Sequence, residues 1–441
     1  MDNTLAYIDQ ASFLALRALG RGPLIQFTWI YDRGIDIDEL RRFHANLGFG
    51  LLGRRIERSP LPFGRDRWVA APGPSDVELA TRDSPRDEVW TWADQRLRLP
   101  IDPQNGPSWH LGVQPLTGGG AAATLVVSHS VGDAKAINIA ITDAVGGVRR
   151  DLGYPPPGSR TRRQSVLEDA RQTLRDVPRM GKAVISAVRV ARSEREGLAT
   201  SVKSGTKQRP GRVSEVVVPN AVMFFDVAHW DERASSLGGT SNSLFAAVGA
   251  RLGQVLGRVD EDGMVQLSLP VSERDDGDTR ANALTEATVT ADPAKVNADL
   301  TDIRRDVKQA LTALGEAPNE LLGPLALVPL TPGLLVRRLE GMVQQVGSPI
   351  GCSNIGELES MINRPDGRDA DYLTIRMLEP KVTTTVLDRM GGLLFLVSGR
   401  VHGRIFVTVA SWVAGGTNTK ETLRDSIRRV LADMQLTGTV E

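Results

Sequence analysis

The sequence predicts an α/β protein made of two halves, each with its own sheet and helices. Strand-like and helix-like segments alternate along most of the 441 residues, and the alternation breaks at a basic stretch near the middle. The hydrophobic fraction of 41% is typical of a folded globular chain, and the length suits two domains. We therefore predict an N-terminal half at 1–158, a connector at 159–212 and a C-terminal half at 213–441.

The first half contains a strand that ends in polar residues. Ala121–His129 (AAATLVVSH) is almost wholly apolar, as expected of a strand buried on both faces. Apolar residues at helical spacing follow at Ala134–Val145. The other predicted elements are strand Leu24–Tyr31, helix Asp36–Leu47 capped by Asp36 or Asp38, and strand Trp109–Pro115 before the turn at 117–120.

The connector is basic. Residues 159–212 hold 14 Lys/Arg against 5 Asp/Glu. We predict one or two helices near 166–190 and a loop at 197–211. Two interpretations stay open: a solvated link between domains, or a surface that contacts acidic lipid headgroups or the phosphates of a ligand.

The second half repeats the alternation of strands and helices. Leu321–Val336 is an apolar, proline-interrupted run, predicted either as core of this half or as a segment that faces a membrane or lines an acyl chain. The regular elements predicted here are strand 213–227, helix Ser243–Val255, strand Met264–Pro270, the hairpin 393–398/404–411 joined through Gly399–Gly403, and helix Lys420–Met434.

Composition excludes several classes of function. Lys+Arg and Asp+Glu both number 53, so no net charge recruits nucleic acid. Cys352 is the only cysteine, which rules out an intramolecular disulfide and a cysteine-based zinc site, and we predict no metal. The N-terminus is acidic where a signal peptide would be basic, and no unbroken apolar run is long enough to span a bilayer. We expect a cytoplasmic protein, either soluble or peripheral on the inner face of the plasma membrane.

His129 is the main candidate for chemistry among the five histidines. It lies at the end of the apolar strand and just before a helix, where open α/β folds place ligand-binding and catalytic groups. Asp133 follows four residues later, across a tight turn that contains Gly132. That spacing lets the carboxylate hold the loop or pair with an arginine, and it does not by itself create a His–Asp relay. A lone histidine at a strand end is more often structural than catalytic.

Five segments of the chain resemble motifs of one protein family and follow one another in the same order as in that family. They are His129-x-x-x-Asp133, Leu99–Asp102 with Gly106–Trp109, Ser241-Asn242-Ser243, Pro270–Arg274 with Asn282, and Ser353–Gly356. Together they resemble the wax ester synthase/diacylglycerol acyltransferase family, part of the HHxxxDG acyltransferase superfamily with condensation domains and chloramphenicol acetyltransferase. This resemblance implies two chloramphenicol-acetyltransferase-like domains, mixed sheets flanked by helices, and an active site at their interface.

The resemblance also implies roles for individual residues. His129 matches the second histidine of the motif, the general base, and Asp133 completes the predicted catalytic pair. We expect Arg274 to pair with Asp133 and Trp109 to support the site. Asn242, Ser353 and Asn354 are then substrate-binding candidates, with Ser353, Asn354 or a neighbouring backbone N–H donating to the oxyanion.

Several motif positions depart from the family pattern. Ser128 replaces the first histidine, Ala134 the glycine, and Ser243 the aspartate of the asparagine-aspartate motif. The segment that begins at Ser353 lacks the proline of the family's SNVPG. A divergent subfamily with another acceptor would show this pattern, and so would a paralogue that has lost catalysis.

The implied function is transfer of a fatty acyl group from acyl-coenzyme A to a hydroxyl acceptor. The acceptor would be a long-chain alcohol, diacylglycerol or another lipid or sugar alcohol, with acyl-coenzyme A as co-substrate and no bound cofactor. One alternative is a condensation-type acyltransferase that takes its acyl group from a carrier-protein thioester. Another is a catalytically silent protein that binds a ligand.

Overall fold

The computed structural model describes residues 2–201, 214–316, 320–343 and 349–441. It confirms the α/β class, with two mixed sheets flanked by helices. Short 3-10 helices lie at 50–52, 86–88, 320–330 and 360–363. The α-helices in the described residues are α1 (Tyr7–Leu19), α2 (Ile37–Leu47), α3 (Val89–Arg96), α4 (Ala134–Val145), α5 (Arg162–Ser201), α6 (Val227–Ser236), α7 (Ser241–Val255), α8 (Thr301–Glu316), α9 (Gly333–Val343), α10 (Thr384–Arg389) and α11 (Lys420–Asp433).

The strands of the described residues form one five-stranded, one seven-stranded and one two-stranded sheet. They are β1 (Leu24–Tyr31), β2 (Arg54–Glu57), β3 (Arg67–Ala70), β4 (Glu78–Leu79), β5 (Trp109–Pro115), β6 (Ala121–Ser128), β7 (Asn220–Asp226), β8 (Val265–Ser272), β9 (Leu284–Ala291), β10 (Ile350–Glu357), β11 (Tyr372–Leu378), β12 (Leu393–Val401), β13 (Arg404–Trp412) and β14 (Thr439–Val440).

The first sheet has the order β11-β1-β6-β5-β4, in which β4 and β5 are parallel and the other neighbours are antiparallel. Every residue of β1 and β6 is buried, as predicted for a strand covered on both faces. The second sheet has the order β14-β7-β13-β12-β10-β8-β9, with parallel pairing at β12-β10 and β10-β8. The pair β2-β3 forms the small third sheet.

The two large sheets do not divide between the predicted halves. Strand β11 comes from the predicted C-terminal half, yet it pairs with β1 in the first sheet along seven residues. It also touches the second sheet, where the Thr408 hydroxyl on β13 donates to the Ile375 carbonyl at 3.0 Å. The chain therefore crosses back to complete the first sheet.

Local signals explain where several elements begin and end. Asp36 caps α2 by accepting from the backbone N–H groups of Asp38 and Glu39, which confirms it as the predicted cap. The β12–β13 hairpin turns at His402 and Gly403, both with positive φ, as a two-residue turn requires. Strand β7 begins at Asn220, later than predicted, after Pro219, which has no N–H to donate to a strand ladder.

The connector forms a single long helix in its described part. Helix α5 runs through Pro178 to Ser201, so the predicted loop at 197–211 is helical at its start, and the rest of that loop lies outside the described residues. None of the side chains described between 323 and 336 belongs to the core of the second sheet, and the segment 320–330 lies against α5 and α1. Within the described ranges, no helix is both long enough and apolar enough to cross a bilayer.

Candidate active site

His129 lies in the turn between β6 and α4. The preceding residue, Ser128, donates its backbone N–H to the Ser108 carbonyl at 3.0 Å, and His129 donates its own to the Pro23 carbonyl at 3.1 Å. The chain is thus fixed from both neighbouring segments at the point where the imidazole emerges. His129 is half-buried, so part of the residue remains accessible.

Asp133 is the N-cap of α4, and it is fully buried. Its carboxylate accepts from the backbone N–H of Ala136 at 2.7 Å, from that of Ala283 at 2.8 Å and from the Arg274 guanidinium at 2.9 Å. The structure thus places the predicted partner Arg274 against Asp133. Because these donors occupy the carboxylate, Asp133 is arranged to fix the loop rather than to relay a proton.

Arg274 belongs to the loop between β8 and β9, which we call the 273–283 loop. Its guanidinium donates to the carbonyls of Asp278, Arg280 and Ala281 at 2.9–3.1 Å, so the loop wraps around it. The side chains of Arg274 and Asp133 are each 1% exposed. A buried ion pair of this kind is costly to break, since either partner alone would be an uncompensated charge.

Two further charged residues, on α1 and β2, hold the 273–283 loop against the first part of the chain. Asp9 on α1 accepts from the backbone N–H groups of Ala281 at 2.9 Å and Asn282 at 2.8 Å. Burial raises the pKa of Asp9, against the lowering effect of these hydrogen bonds and of Arg54. Arg54 donates to the Val131 carbonyl at 3.0 Å, beside His129, and also to the Thr279 carbonyl.

Sequence reasoning missed Asp9 and Arg54. Asp9 lies in an ordinary amphipathic helix, and Arg54 opens a short strand, so neither position carries a motif. The only available signal was Asn282, which the family pattern had singled out and whose side chain and backbone both bind Asp9.

The predicted substrate-binding residues meet on the second sheet. The Asn354 amide on β10 donates to the Asn242 side-chain oxygen at the start of α7, at 2.9 Å. Asn354 is exposed, and Ser353, the preceding residue on β10, is half-buried. In the described part of the chain, no hydrogen bond joins this pair to His129.

Ser243, which stands at the family's aspartate position, has a structural task. Its hydroxyl accepts from the Thr240 backbone N–H at 2.7 Å, and the Thr240 hydroxyl accepts from the Ser243 N–H, which completes a capping box. The start of α7, and with it Asn242, is therefore fixed by this cap.

Trp109 supports the strand that carries His129. It opens β5 opposite Val127 of β6, and its indole N–H donates to the Leu52 carbonyl at 3.0 Å. The ring is fully buried and meets the His44 ring edge-on, with centroids 5.1 Å apart.

A cavity of about 750 Å³ lies beside the His129 turn. Ser128 lines it, together with residues of α1 and β1 and the 94–103 segment from the first predicted half and residues 215–218 and 378–381 from the second. Its apolar lining residues include Phe13, Leu16, Leu97, Ile101 and Val216. The cavity thus lies between the two predicted halves. His129 follows the wall residue Ser128 in the chain and is not itself among the lining residues.

The sequence matches no protein-family model and no curated protein sequence. Solved structures do resemble it along almost its whole length. The first condensation domain of the CDA synthetase has a TM-score of 0.59 at 14% identity, with 98% of this chain and 96% of that chain covered. The trichothecene 15-O-acetyltransferase from Fusarium sporotrichioides has a TM-score of 0.59 at 11% identity, covering 98% and 94%.

A third structure extends this likeness. Polyketide synthase associated protein 5 from Mycobacterium tuberculosis has a TM-score of 0.51 at 15% identity, with 97% of each chain covered. Identities this low establish the fold and leave the activity open. The chain therefore has the two-sheet fold that condensation domains share with acyltransferases related to chloramphenicol acetyltransferase.

Proposed function

We propose that this chain is an O-acyltransferase that moves a fatty acyl group from acyl-coenzyme A to a hydroxyl acceptor. The acceptor class is a long-chain alcohol, diacylglycerol or another lipid or sugar alcohol. The observation that carries the proposal is the placement of His129: a half-buried imidazole on a loop fixed by Asp133 and Arg274, beside a cavity. A fold that includes a known O-acetyltransferase supports it.

In the proposed reaction, His129 acts as general base. It takes the proton of the acceptor hydroxyl as the oxygen attacks the thioester carbonyl, and a tetrahedral oxyanion forms. The C–S bond then breaks, the imidazolium returns the proton to the leaving thiolate, and the products are an ester and free coenzyme A. Base catalysis of this kind contributes about 10²–10⁴-fold in rate.

In this proposal the Asn354 amide, held by Asn242, stabilises the oxyanion. The Asn354 amide has two N–H donors, and one of them is used by Asn242. Among the described residues no acceptor binds the other N–H of the exposed Asn354, so this N–H could donate to a developing negative charge; Ser353 is the preceding residue on the same strand. A donor already fixed before the reaction needs no reorganisation when the charge appears.

The cavity suits an acyl thioester. Its apolar lining matches a hydrocarbon chain, and its volume lies within the range of small-molecule sites. Arg17, Arg98 and Lys381 line it as well and are exposed, where the phosphates of coenzyme A would meet them. Of the four acidic lining residues, Asp94 pairs with Arg376 and Lys420, Asp102 accepts from backbone N–H groups and Glu379 pairs with Arg21. The fourth, Glu215, is exposed.

The test is thiol release from long-chain acyl-coenzyme A across a panel of alcohols, diacylglycerols and sugars. We expect acceptor-dependent release that falls by about 10²-fold or more in His129→Ala. His229→Ala is the matched control, because His229 is an exposed histidine on α6, and its activity should equal that of the wild type. Equal release by His129→Ala and wild type would remove His129 as the base.

A second candidate is a condensation-type enzyme whose acyl group arrives on a carrier protein. The likeness to a condensation domain of the CDA synthetase favours it. The same assay with an acylated carrier protein distinguishes the two donors. A protein that transfers from neither would match the silent binding paralogue, which the replacements at Ser128 and Ala134 support.

A further inference from the structure

Helix α5 presents three different faces along its described side chains. Its inner face is formed by Ser165, Asp169, Asp176 and Ala183, all buried. Asp169 accepts from Arg67 and Arg160, and Asp176 accepts from Arg65 and Arg179. The acidic residues that face inward are therefore neutralised against the body of the protein.

The outer side of α5 carries an apolar stripe. Leu174 is 71% exposed and Ile185 is 64% exposed, which is unusual for large apolar side chains that recur on one side of a helix. The apolar stripe consists of Leu167, Leu174, Val177, Val184 and Ile185. The successive spacings of seven, three, seven and one residues place all five on one side of a helix with 3.6 residues per turn.

A basic stripe runs beside the apolar stripe. It consists of Arg171, Arg175, Arg179 and Lys182, all exposed, of which Arg179 also pairs with the buried Asp176. Glu168 is the exposed acid on this part of the helix, and it pairs with Arg160. Because Asp169 and Asp176 are buried, the outward charge of the described α5 side chains is positive.

Helix α9 adds a second exposed patch of the same character. Leu334 is 73% exposed, Leu335 is also exposed, and Arg337 and Arg338 follow them. Segment 320–330 contacts both α5 and α1, and α9 contacts α1. The C-terminal end of α1 lines the cavity beside the His129 turn.

We propose that the apolar stripe of α5, with the exposed leucines of α9, docks on an anionic lipid bilayer. Apolar side chains would enter the headgroup region while the basic stripe contacts lipid phosphates, the arrangement of interfacial amphipathic helices. The positive outward charge selects a lipid surface over a neutral apolar partner. This docking is independent of the proposed acyl transfer, because it concerns binding alone.

The experiment is vesicle co-sedimentation of the full chain. Vesicles contain phosphatidylcholine alone or with about one third phosphatidylglycerol. We expect binding to the anionic vesicles that weakens as salt rises, since screening shortens the range of the charges. Leu174→Glu/Ile185→Glu should lower the partition coefficient by about tenfold or more. Arg171→Gln/Arg175→Gln should lower it about fivefold for each charge removed.

Two control variants carry matched changes elsewhere on the surface. Leu311→Glu replaces an exposed leucine on α8, and Arg428→Gln/Arg429→Gln removes two exposed arginines on α11; both should bind as wild type. Circular dichroism establishes that each variant is folded, and Leu167→Ser serves if the double glutamate variant is not.

Two outcomes would overturn the docking. One is stripe variants that bind vesicles as well as the wild type. The other is a wild type that ignores anionic vesicles and forms a dimer that Leu174→Glu/Ile185→Glu dissolves, in which case a second copy covers the stripe. Light scattering on the same samples reports the oligomeric state.

Discussion

The Asp133 carboxylate joins the His129 loop to the 273–283 loop, so a change of one atom should be felt in both. In Asp133→Asn the N-cap oxygen remains, while an amide replaces the oxygen that accepts from Arg274 and Ala283. We expect a loss of about 2–4 kcal/mol in the free energy of unfolding, because Arg274 stays buried without its charge partner. Urea denaturation measures the loss.

If Asp133 positions His129 in the proposed reaction, the same variant should lower kcat more than it raises KM. Asp143→Asn is the control, because the half-buried Asp143 lies on the same helix and pairs with the exposed Arg150. This substitution should cost less than about 1 kcal/mol. An Asp133→Asn protein as stable as the wild type would show that the Asp133–Arg274 pair does not contribute to the free energy of unfolding.

A second residue predicts how stability varies with pH. His110 is buried on β5, where its Nε2 lies 3.0 Å from the Arg96 carbonyl and its Nδ1 lies 3.4 Å from the Arg96 guanidinium. Burial, and secondarily the positive charge of Arg96, lowers the pKa of His110 from 6.5 to about 4. Between pH 6.5 and about 4, His110 therefore binds a proton in the unfolded chain and not in the folded chain.

Neutral His110 contributes fully to the free energy of unfolding above pH 6.5. As the pH falls from 6.5 towards about 4, this contribution, about 3 kcal/mol in total, is lost. His110→Gln keeps a donor for the Arg96 carbonyl and cannot titrate. Urea midpoints at pH 7, 6, 5 and 4 should therefore fall less steeply in this variant than in the wild type. His229→Gln, at an exposed position, should keep the wild-type slope.

The residues of the candidate site differ in how far the sequence reveals them. His129 stands at the end of an apolar strand, and the Asp133–Arg274 pairing followed from the motif positions that the sequence resembles. Asp9 and Arg54 act through backbone groups of the 273–283 loop, more than 200 residues away along the chain. A backbone contact imposes no residue type on its partner, so the only mark of these contacts in the sequence is Asn282, whose side chain also donates to Asp9.

At the scale of elements, the cap of α7 links helix stability to the candidate site. Thr240→Ala removes one half of the capping box and should lower the free energy of unfolding by about 1 kcal/mol. Because Asn242 is in the first turn, we also expect the Asn242–Asn354 contact to loosen and the proposed transfer rate to fall. Thermal unfolding and thiol release measure the two effects.

The matched control for this prediction is Thr419→Ala. Thr419 forms the same capping box with Thr422 at the start of α11, so the stability cost should be alike. No predicted site residue lies on α11, so transfer should be unchanged. If Thr240→Ala and Thr419→Ala transfer the acyl group at equal rates, the position of Asn242 does not matter for the reaction.

Elements with strong local signals were predictable, and those defined by distant partners were not. Helix α4 and strands β1 and β5 match their predicted bounds, because periodicity and caps mark their ends. Strand β11 went unpredicted: its sequence, YLTIRML, places an arginine among apolar residues. That Arg376 is buried through Gln26, Asn220 and Asp94, three partners far away in the chain.

At the scale of the molecule, β11 makes the two predicted halves depend on each other. The core around the first sheet includes Ala281, Leu358, Ile362, Leu373 and Ile375, all from beyond residue 213. A smaller apolar cluster lies beside the cavity and contains residues of both predicted halves. Leu24 and Val126 come from the N-terminal half, and Val218 and Ala410 come from the C-terminal half. The cavity therefore exists only when both parts of the chain are folded together.

This dependence predicts that a fragment of residues 1–158 does not fold alone. Without β11, strand β1 keeps only β6 as a neighbour and becomes an exposed, mostly apolar edge, and the core of the first sheet loses its packing partners. Five of the seven tryptophans lie in this fragment, so near-ultraviolet circular dichroism and tryptophan emission report its packing directly.

We expect the isolated fragment to lack a cooperative unfolding transition, whereas the full chain unfolds with one. Adding residues 214–441 in trans should restore the tryptophan signal, because that fragment supplies β11 and the missing core residues. A fragment 1–158 that unfolds cooperatively on its own would show that the first sheet is a self-sufficient domain. The crossing strand would then be an addition to a complete core.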